Sequence, residues 1–179
     1  MKKFELTTEF ITNALGKKLF RIKALVEFGS VKAGELGGYA EKEENISQDG
    51  NAWVSGDARV YGNAKVSDNA KVSGDACVYG DAKVYGNAWV SGDAWVHGNA
   101  KVFGNAWVYG DTEVSGDAKV SDNAEVSGDA WVHGNAKVFG NAWVYGDTEV
   151  SGDAKVSDNA EVSGDAWVHG NAKVFGNAW

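Results

Sequence analysis

From Asn51 onward the chain is written in six-residue units of the form [N/D]-A-x-V-x-G: NAWVSG, DARVYG, NAKVSD, NAKVSG, DACVYG, DAKVYG and their continuations. Residues 51–176 hold 21 such units, and Asn177-Ala178-Trp179 opens another. Val fills its slot every time. Ala gives way only to Thr112 and Thr148, and Gly only to Asp68, Asp122 and Asp158. Within a unit the pattern has period two: Ala and Val point inward, the two variable residues point outward, and Gly-Asn or Gly-Asp turns a corner. Small Ala suits a tight corner, and β-branched Val suits an extended strand. No 3.6 or 3.5 period occurs, which excludes helices and coiled coils over this stretch.

The number of units per coil follows from which residues recur at a fixed step. At a step of 18, positions 65, 83, 101, 119, 137, 155 and 173 are all Lys, and 57, 75, 93, 111, 129, 147 and 165 are all Asp. Positions 51, 69, 87, 105, 123, 141, 159 and 177 are all Asn. A step of 12 keeps none of these columns pure. Three units per coil give a triangular parallel β-solenoid of about seven coils, roughly 34 Å long at ~4.8 Å per coil. Stacked Asn side chains are expected to form amide ladders along one corner. Asp side chains on another corner are expected to accept turn N–H groups, which would offset their mutual repulsion.

Residues 95–130 and 131–166 are identical, and 167–179 begin a third copy. Outward positions therefore alternate over two coils: Trp95, Glu113, Trp131, Glu149, Trp167 in one column, and His97, Ser115, His133, Ser151, His169 beside it. Residues 1–50 lack the repeat and carry eight basic and eight acidic residues, so the whole net charge of −8 belongs to residues 51–179. Phe20, Ile22, Ala24, Val26 and Phe28 read as one face of an amphipathic strand. Phe4 and Leu6 read as its partner strand, with a turn around Asn13–Lys17. Such a segment can cover the unpaired backbone groups of a first coil, which makes residues 1–50 an N-terminal β cap and residues 51–179 the solenoid. The chain ends inside a six-residue unit, so either a longer protein continues past Trp179 or an open C-terminal edge pairs with another chain.

The units resemble those of the left-handed β-helix proteins of the hexapeptide-repeat superfamily, which includes many acyltransferases and the gamma-class carbonic anhydrases. The resemblance covers residues 51–179 and implies a left-handed winding. The stretch FRIKALVEFGSVKAGELGGYAEKEENISQDGNAWV is similar to the opening of bacterial and prophage hexapeptide-repeat proteins that carry a transferase label. Acyltransferases of this kind use a His beside a loop extruded from the helix at a trimer interface. Here 21 units run without one inserted residue, and no zinc triad of the carbonic anhydrase type maps onto the chain.

The remaining features narrow the function classes. A net charge of −8 and a pI near 4.8 argue against binding nucleic acid or an anionic membrane. The single Cys77 forms no internal disulfide, no window approaches a membrane span, and MKKFELTTEF has no apolar run behind its lysines. A cytoplasmic protein without cofactor or metal is expected. His97, His133 and His169 fall in outward slots two coils apart, about 9.6 Å, too far to share one metal ion. They read as surface residues, or alternatively as catalytic bases in an acyltransferase-like enzyme at a subunit interface. The lysine column reads as a solvated face balanced by neighbouring carboxylates. Ice binding needs ranks of outward Thr, whereas Thr112 and Thr148 take inward slots. The strongest anomaly is aromatic. Trp89, Trp95, Trp107, Trp131, Trp143, Trp167 and Trp179, with Phe103, Phe139 and Phe175, occupy slots that face water, and ranked exposed aromatics mark an interface or else cover the solenoid wall. The expected function is a non-enzymatic structural or interaction solenoid that self-associates or binds a protein through its aromatic walls or open edge. A further alternative is an acidic, phage-type DNA mimic that binds a host protein.

Overall fold

A computed structural model describes residues 2–179. It is an all-β parallel solenoid with three walls, built from sheets of ten, seven and seven strands. The first wall opens with β1 (Phe4–Thr12), β2 (Lys18–Ala24) and β3 (Leu36–Ala40), then continues through two-residue strands from Arg59–Val60 to Trp167–Val168. The second wall runs from Lys65–Val66 to Lys173–Val174, and the third from Trp53–Val54 to Glu161–Val162. Within the repeat each strand pairs in parallel with the one 18 residues on, as in Lys101↔Lys119 and Trp89↔Trp107.

Three residues of each six-residue unit tie successive coils together. Lys101 N–H donates to Ala118 O at 2.9 Å, Phe103 N–H to Val120 O at 3.0 Å and Asn105 N–H to Asp122 O at 2.6 Å, and the pattern recurs along the chain. Inside, the Ala and Val columns are sealed, with Val54 through Val156 at 0 % exposure. The core is thus a narrow shaft of small side chains. Thr112 and Thr148 sit in the Ala slot as expected, fully buried, and their Oγ1 atoms have no hydrogen-bond partner. The corner residue before Asn or Asp has a positive φ throughout, and even Asp68, Asp122 and Asp158 adopt φ near +60° there.

Parallel winding begins before the repeat does. Tyr39 and Ala40 of β3 pair with Arg59 and Val60, and Ile46 bridges to Val66, so residues 39–54 form a first coil without the six-residue signature and bring the total to about eight. Ile46 to Val54 spans eight residues, where the corresponding Val66 to Val72 spans six. The two extra residues swell the corner at Ser47–Gly50, and the cap locks onto it. Lys3 Nζ donates to the carbonyls of Asp49, Gly50 and Ala52 at 3.4, 3.3 and 3.0 Å. Gln48 Oε1 accepts from the N–H groups of Lys3 and Phe4. Burial holds the Lys3 ammonium down at about 8. Asn45, completely buried, donates to the carbonyls of Gly62 and Ala64.

In the cap β1, β2 and β3 run antiparallel, with the turn at Asn13–Lys17 held by Asn13 Oδ1, which accepts from Leu15 and Lys17 N–H. The expected single amphipathic strand through Phe28 does not form. β2 ends at Ala24, Leu19 is buried and Phe20 only partly so, because irregularities at Leu6/Phe10 and Arg21/Lys23 shift the register and change which side chains face inward. β3 lies so close to the first coils that only glycine fits at two positions: a Cβ on Gly37 would stand 2.5 Å from Val54 O, and one on Gly38 would stand 2.5 Å from Ala58 O. None of the helices described is long and apolar enough to cross a membrane.

Candidate functional site: the decorated walls

The outward slots of the three walls carry the candidate residues, and strand pleat places all of them on the outer surface. On the first wall Trp95, Trp131 and Trp167 are 50, 46 and 73 % exposed, with Glu113 and Glu149 on the coils between them. On the third wall Trp89, Trp107 and Trp143 are 39, 48 and 52 % exposed, with Glu125 and Glu161 on intervening coils. Trp179 and Phe175 are exposed, while Phe103 and Phe139 are half-buried. Trp53, by contrast, is buried under the cap between Phe4 and Phe28, with ring centroids at 6.4 and 5.4 Å.

The rings organise one another. Tyr61, Tyr79 and His97 form a continuous stack, with centroids 5.0 and 4.7 Å apart and planes within 5° of parallel. Tyr85 stacks on Phe103 at 4.9 Å. Trp89 and Trp107 meet edge to face at 5.4 Å and, with Ser91 and Tyr109, line an open depression of about 210 Å³. Burial pushes the Tyr61 hydroxyl up to about 12. Small residues between the bulky ones are shaded by them: Ser115, Ser121 and Ser127 are 8, 8 and 9 % exposed. From residue 95 onward the outer surface is therefore corrugated, with a ridge and a furrow every two coils.

The carboxylates are held diagonally. His97 Nε2 lies 2.9 Å from Glu113 Oε1, and His133 Nε2 lies 3.0 Å from Glu149 Oε1. The bond to His133, helped by Ser151, holds the Glu149 carboxyl below its usual range. On the third wall the hydroxyls of Tyr109 and Tyr145 donate to Glu125 and Glu161, and the bond to Glu125 raises the Tyr109 hydroxyl. These contacts join residues 16 apart. A search at a step of 18 reads vertical neighbours only, so the sequence reading missed them. The three histidines do not converge on a common cavity; His97 and His133 each contact a separate carboxylate on an open face. The described residues contain no group of three His, Cys, Asp or Glu placed to hold a metal ion.

The corners divide into three kinds. The Asn column forms the expected ladder, with seven Nδ2–H to Oδ1 bonds from Asn51 to Asn177 at 2.9–3.2 Å. A second corner alternates Asn and Asp, pairing Asn63 with Asp81, Asn99 with Asp117 and Asn135 with Asp153 at 3.0 Å. The all-Asp corner departs from expectation. Among the described residues none of its carboxylates accepts a backbone N–H; Asp57 meets Arg21 at 3.4 Å, and the hydrogen bond and charge of Asp147, with Asp111 beyond, raise the Asp129 carboxyl. The turn N–H groups already bond to the next coil, as Asp111 N–H does to Gly128 O. Within the repeat, carboxylates that do meet a turn N–H stand in the glycine slot: Asp68, Asp122 and Asp158 accept from Gly86, Gly140 and Gly176, while ahead of the repeat Glu41 accepts from Gly62.

On the second wall the seven lysines from Lys65 to Lys173 stack coil on coil, as Lys101 does on Lys119 and Lys119 on Lys137. The sequence reading has them balanced by neighbouring carboxylates, yet none of the seven lies within 4.0 Å of a carboxylate among the described residues; the ion pairs of lysines belong to Lys2, Lys17 and Lys32 in the cap. Asp117 and Asp153 share shallow depressions with these lysines, each bonded instead to a corner asparagine, a neutral partner that leaves its charge in place.

Residues 82–98, 118–134 and 154–170, three stretches separated by the 36-residue interval, match a family model described as the YdcK beta solenoid repeat. No curated protein matches the chain. The matched stretches and the prism agree on a repeat β-helix.

Proposed function

We propose that this chain is a non-enzymatic interaction scaffold of the hexapeptide-repeat kind, and that it self-associates through its aromatic walls. One observation carries the reading: six tryptophans from Trp89 to Trp167 stand 39–73 % exposed in two straight columns while the inward slots from Ala52 to Ala160 are closed. Large rings contribute strongly to association when their free halves leave water, and monomers seldom expose such rows. Their own wall covers only part of each ring, so roughly half remains for a partner. The acyltransferase alternative finds less support, because His97 and His133 are committed to Glu113 and Glu149 on open walls, and a base at a subunit interface requires a cavity around the reacting atoms. A cytoplasmic setting suits a lone, covered Cys77 whose thiol is pushed up by burial.

Tryptophan emission and acrylamide quenching, followed from dilute to concentrated protein, test this reading on the rings themselves. A blue shift and falling quenching as concentration rises are expected. Emission and quenching that stay constant over the range refute self-association through these walls.

A further inference from the structure

We infer that the lysine wall is the mate of the third wall: the Lys65–Lys173 face of one copy packs on the Trp/Glu face of another. This rests on the aromatic-wall reading above and names the surface that covers it. Three observations carry it.

The first is charge. Seven lysines stand at one-coil spacing with no carboxylate within 4.0 Å among the described residues, a like-charge column that costs energy and that Asp117 and Asp153 offset only from the corner. The third wall offers Glu125 and Glu161, whose partners are neutral tyrosine hydroxyls, so the full carboxylate charge survives. The first wall has a similar pattern and, within the repeat, one basic residue in Arg59, as the third has in Lys71; it differs in that its Glu113 and Glu149 already meet imidazoles.

The second is relief. On the lysine wall Phe103, Phe139 and Phe175 recur every two coils with Ser121 and Ser157 between them; on the third wall Trp107 with Tyr109 and Trp143 with Tyr145 recur every two coils with Glu125–Ser127 between them. Two faces with one period mesh ridge into furrow. Coils that carry Lys101–Phe103 and Lys137–Phe139 then face the coils that carry Glu125 and Glu161, while Lys119 and Lys155 lie over the faces of Trp107 and Trp143. Lysines therefore alternate between ion pairing and cation–π contact, and both favour the same register.

The third is size. A face of seven strands at ~4.8 Å and about five residues of ~3.3 Å width covers about 550 Å². Two faces bury about 1,100 Å², at the lower bound of specific interfaces, so the association is reversible. Because different faces meet, the contact does not close at two copies, and the mass series continues beyond a dimer.

The test is sedimentation velocity on the whole chain over a concentration series, with charge-reversal variants. Lys101→Glu/Lys137→Glu should lose association at the concentration where the native chain is half associated. Adding Glu125→Lys/Glu161→Lys should restore it, since the swapped charges again oppose one another. Circular dichroism of each variant guards against misfolding, and Lys101→Gln/Lys137→Gln, which removes charge without reversing it, should show an intermediate loss. Three results overturn the pairing: a native chain that stays monomeric, a reversed variant that associates like the native chain, or a swap that fails to restore association. If Trp107→Thr/Trp143→Thr abolishes association while the lysine variants do not, the aromatic-wall reading stands and this pairing falls.

Discussion

Thr112 and Thr148 are the two flaws in an otherwise apolar shaft, and replacing them should stabilise the protein. Both side chains are buried, at 0 and 1 % exposure, and neither Oγ1 has a partner. A buried hydroxyl left unpaired costs about 1–3 kcal/mol. Val keeps the branched shape and exchanges the hydroxyl for a methyl, so Thr112→Val should gain about 1–2 kcal/mol. In a chain of this length that raises Tm by roughly 2–8 °C. The two sites lie two coils apart, about 9.6 Å, with Ala130 between them, so the gains should add in the double variant. Thr112→Ala removes the hydroxyl but opens a small void, and should fall near the native protein. Thr112→Ser keeps the unpaired hydroxyl and opens the void, and should be least stable. Thermal unfolding by circular dichroism, with calorimetry to check that one cooperative transition is being read, ranks the four proteins. A lower Tm for Thr112→Val than for the native chain would refute the reasoning, because it would mean that the hydroxyl is satisfied in the folded state.

Other expectations follow from the same geometry. The Asp129 carboxyl is raised by Asp147 and Asp111, so the ionised column opposes folding once pH rises through that raised value; Asp129→Asn should increase Tm at neutral pH, with the gain shrinking in acid. Glu149 is held below its usual range by His133, so its contribution is present above the ordinary carboxylate pKa and is lost as pH falls through the depressed one; carbon-detected NMR should place its titration below that of Glu149 in a His133→Ala variant. Gly38→Ala would drive a Cβ to 2.5 Å from Ala58 O, and should loosen the cap by several kcal/mol, read as early hydrogen exchange in β2 and β3. Cys77 is 8 % exposed and burial raises its thiol, so alkylation at neutral pH should be far slower than for a free thiol and should speed up on unfolding.

The parts of this molecule that were legible in the sequence are those governed by translation along the axis. Parallel pairing at a step of 18 makes every column a repeated experiment, so the three walls, the Ala/Val shaft and the asparagine ladder follow from the text of the chain. What the sequence concealed depends on local departures from translation. Residues 39–54 wind as a coil without the repeat, because Ala40 and Ile46 satisfy inward slots outside the six-residue pattern and the enlarged corner is held by Lys3 and Gln48. Leu19 changed faces because shifts in register on either side of β2 alter the parity of its alternation. On the walls, the outward placement of the tryptophans was legible from parity alone. Their carboxylate neighbours were partly concealed, because the contacts His97–Glu113 and Tyr109–Glu125 run diagonally and depend on side-chain reach. The lack of direct ion pairs along the lysine column was concealed for a related reason: Asp117 and Asp153 stand among the lysines, but each bonds a corner asparagine.

The claim that the outer walls exist to be covered is tested most directly by the mass of the native chain in solution. Sedimentation equilibrium from dilute to concentrated protein should give a weight-average mass that starts at one chain, rises smoothly and passes that of two. A mass fixed at one chain across the whole range would contradict the account and leave the tryptophans as cladding for their own wall.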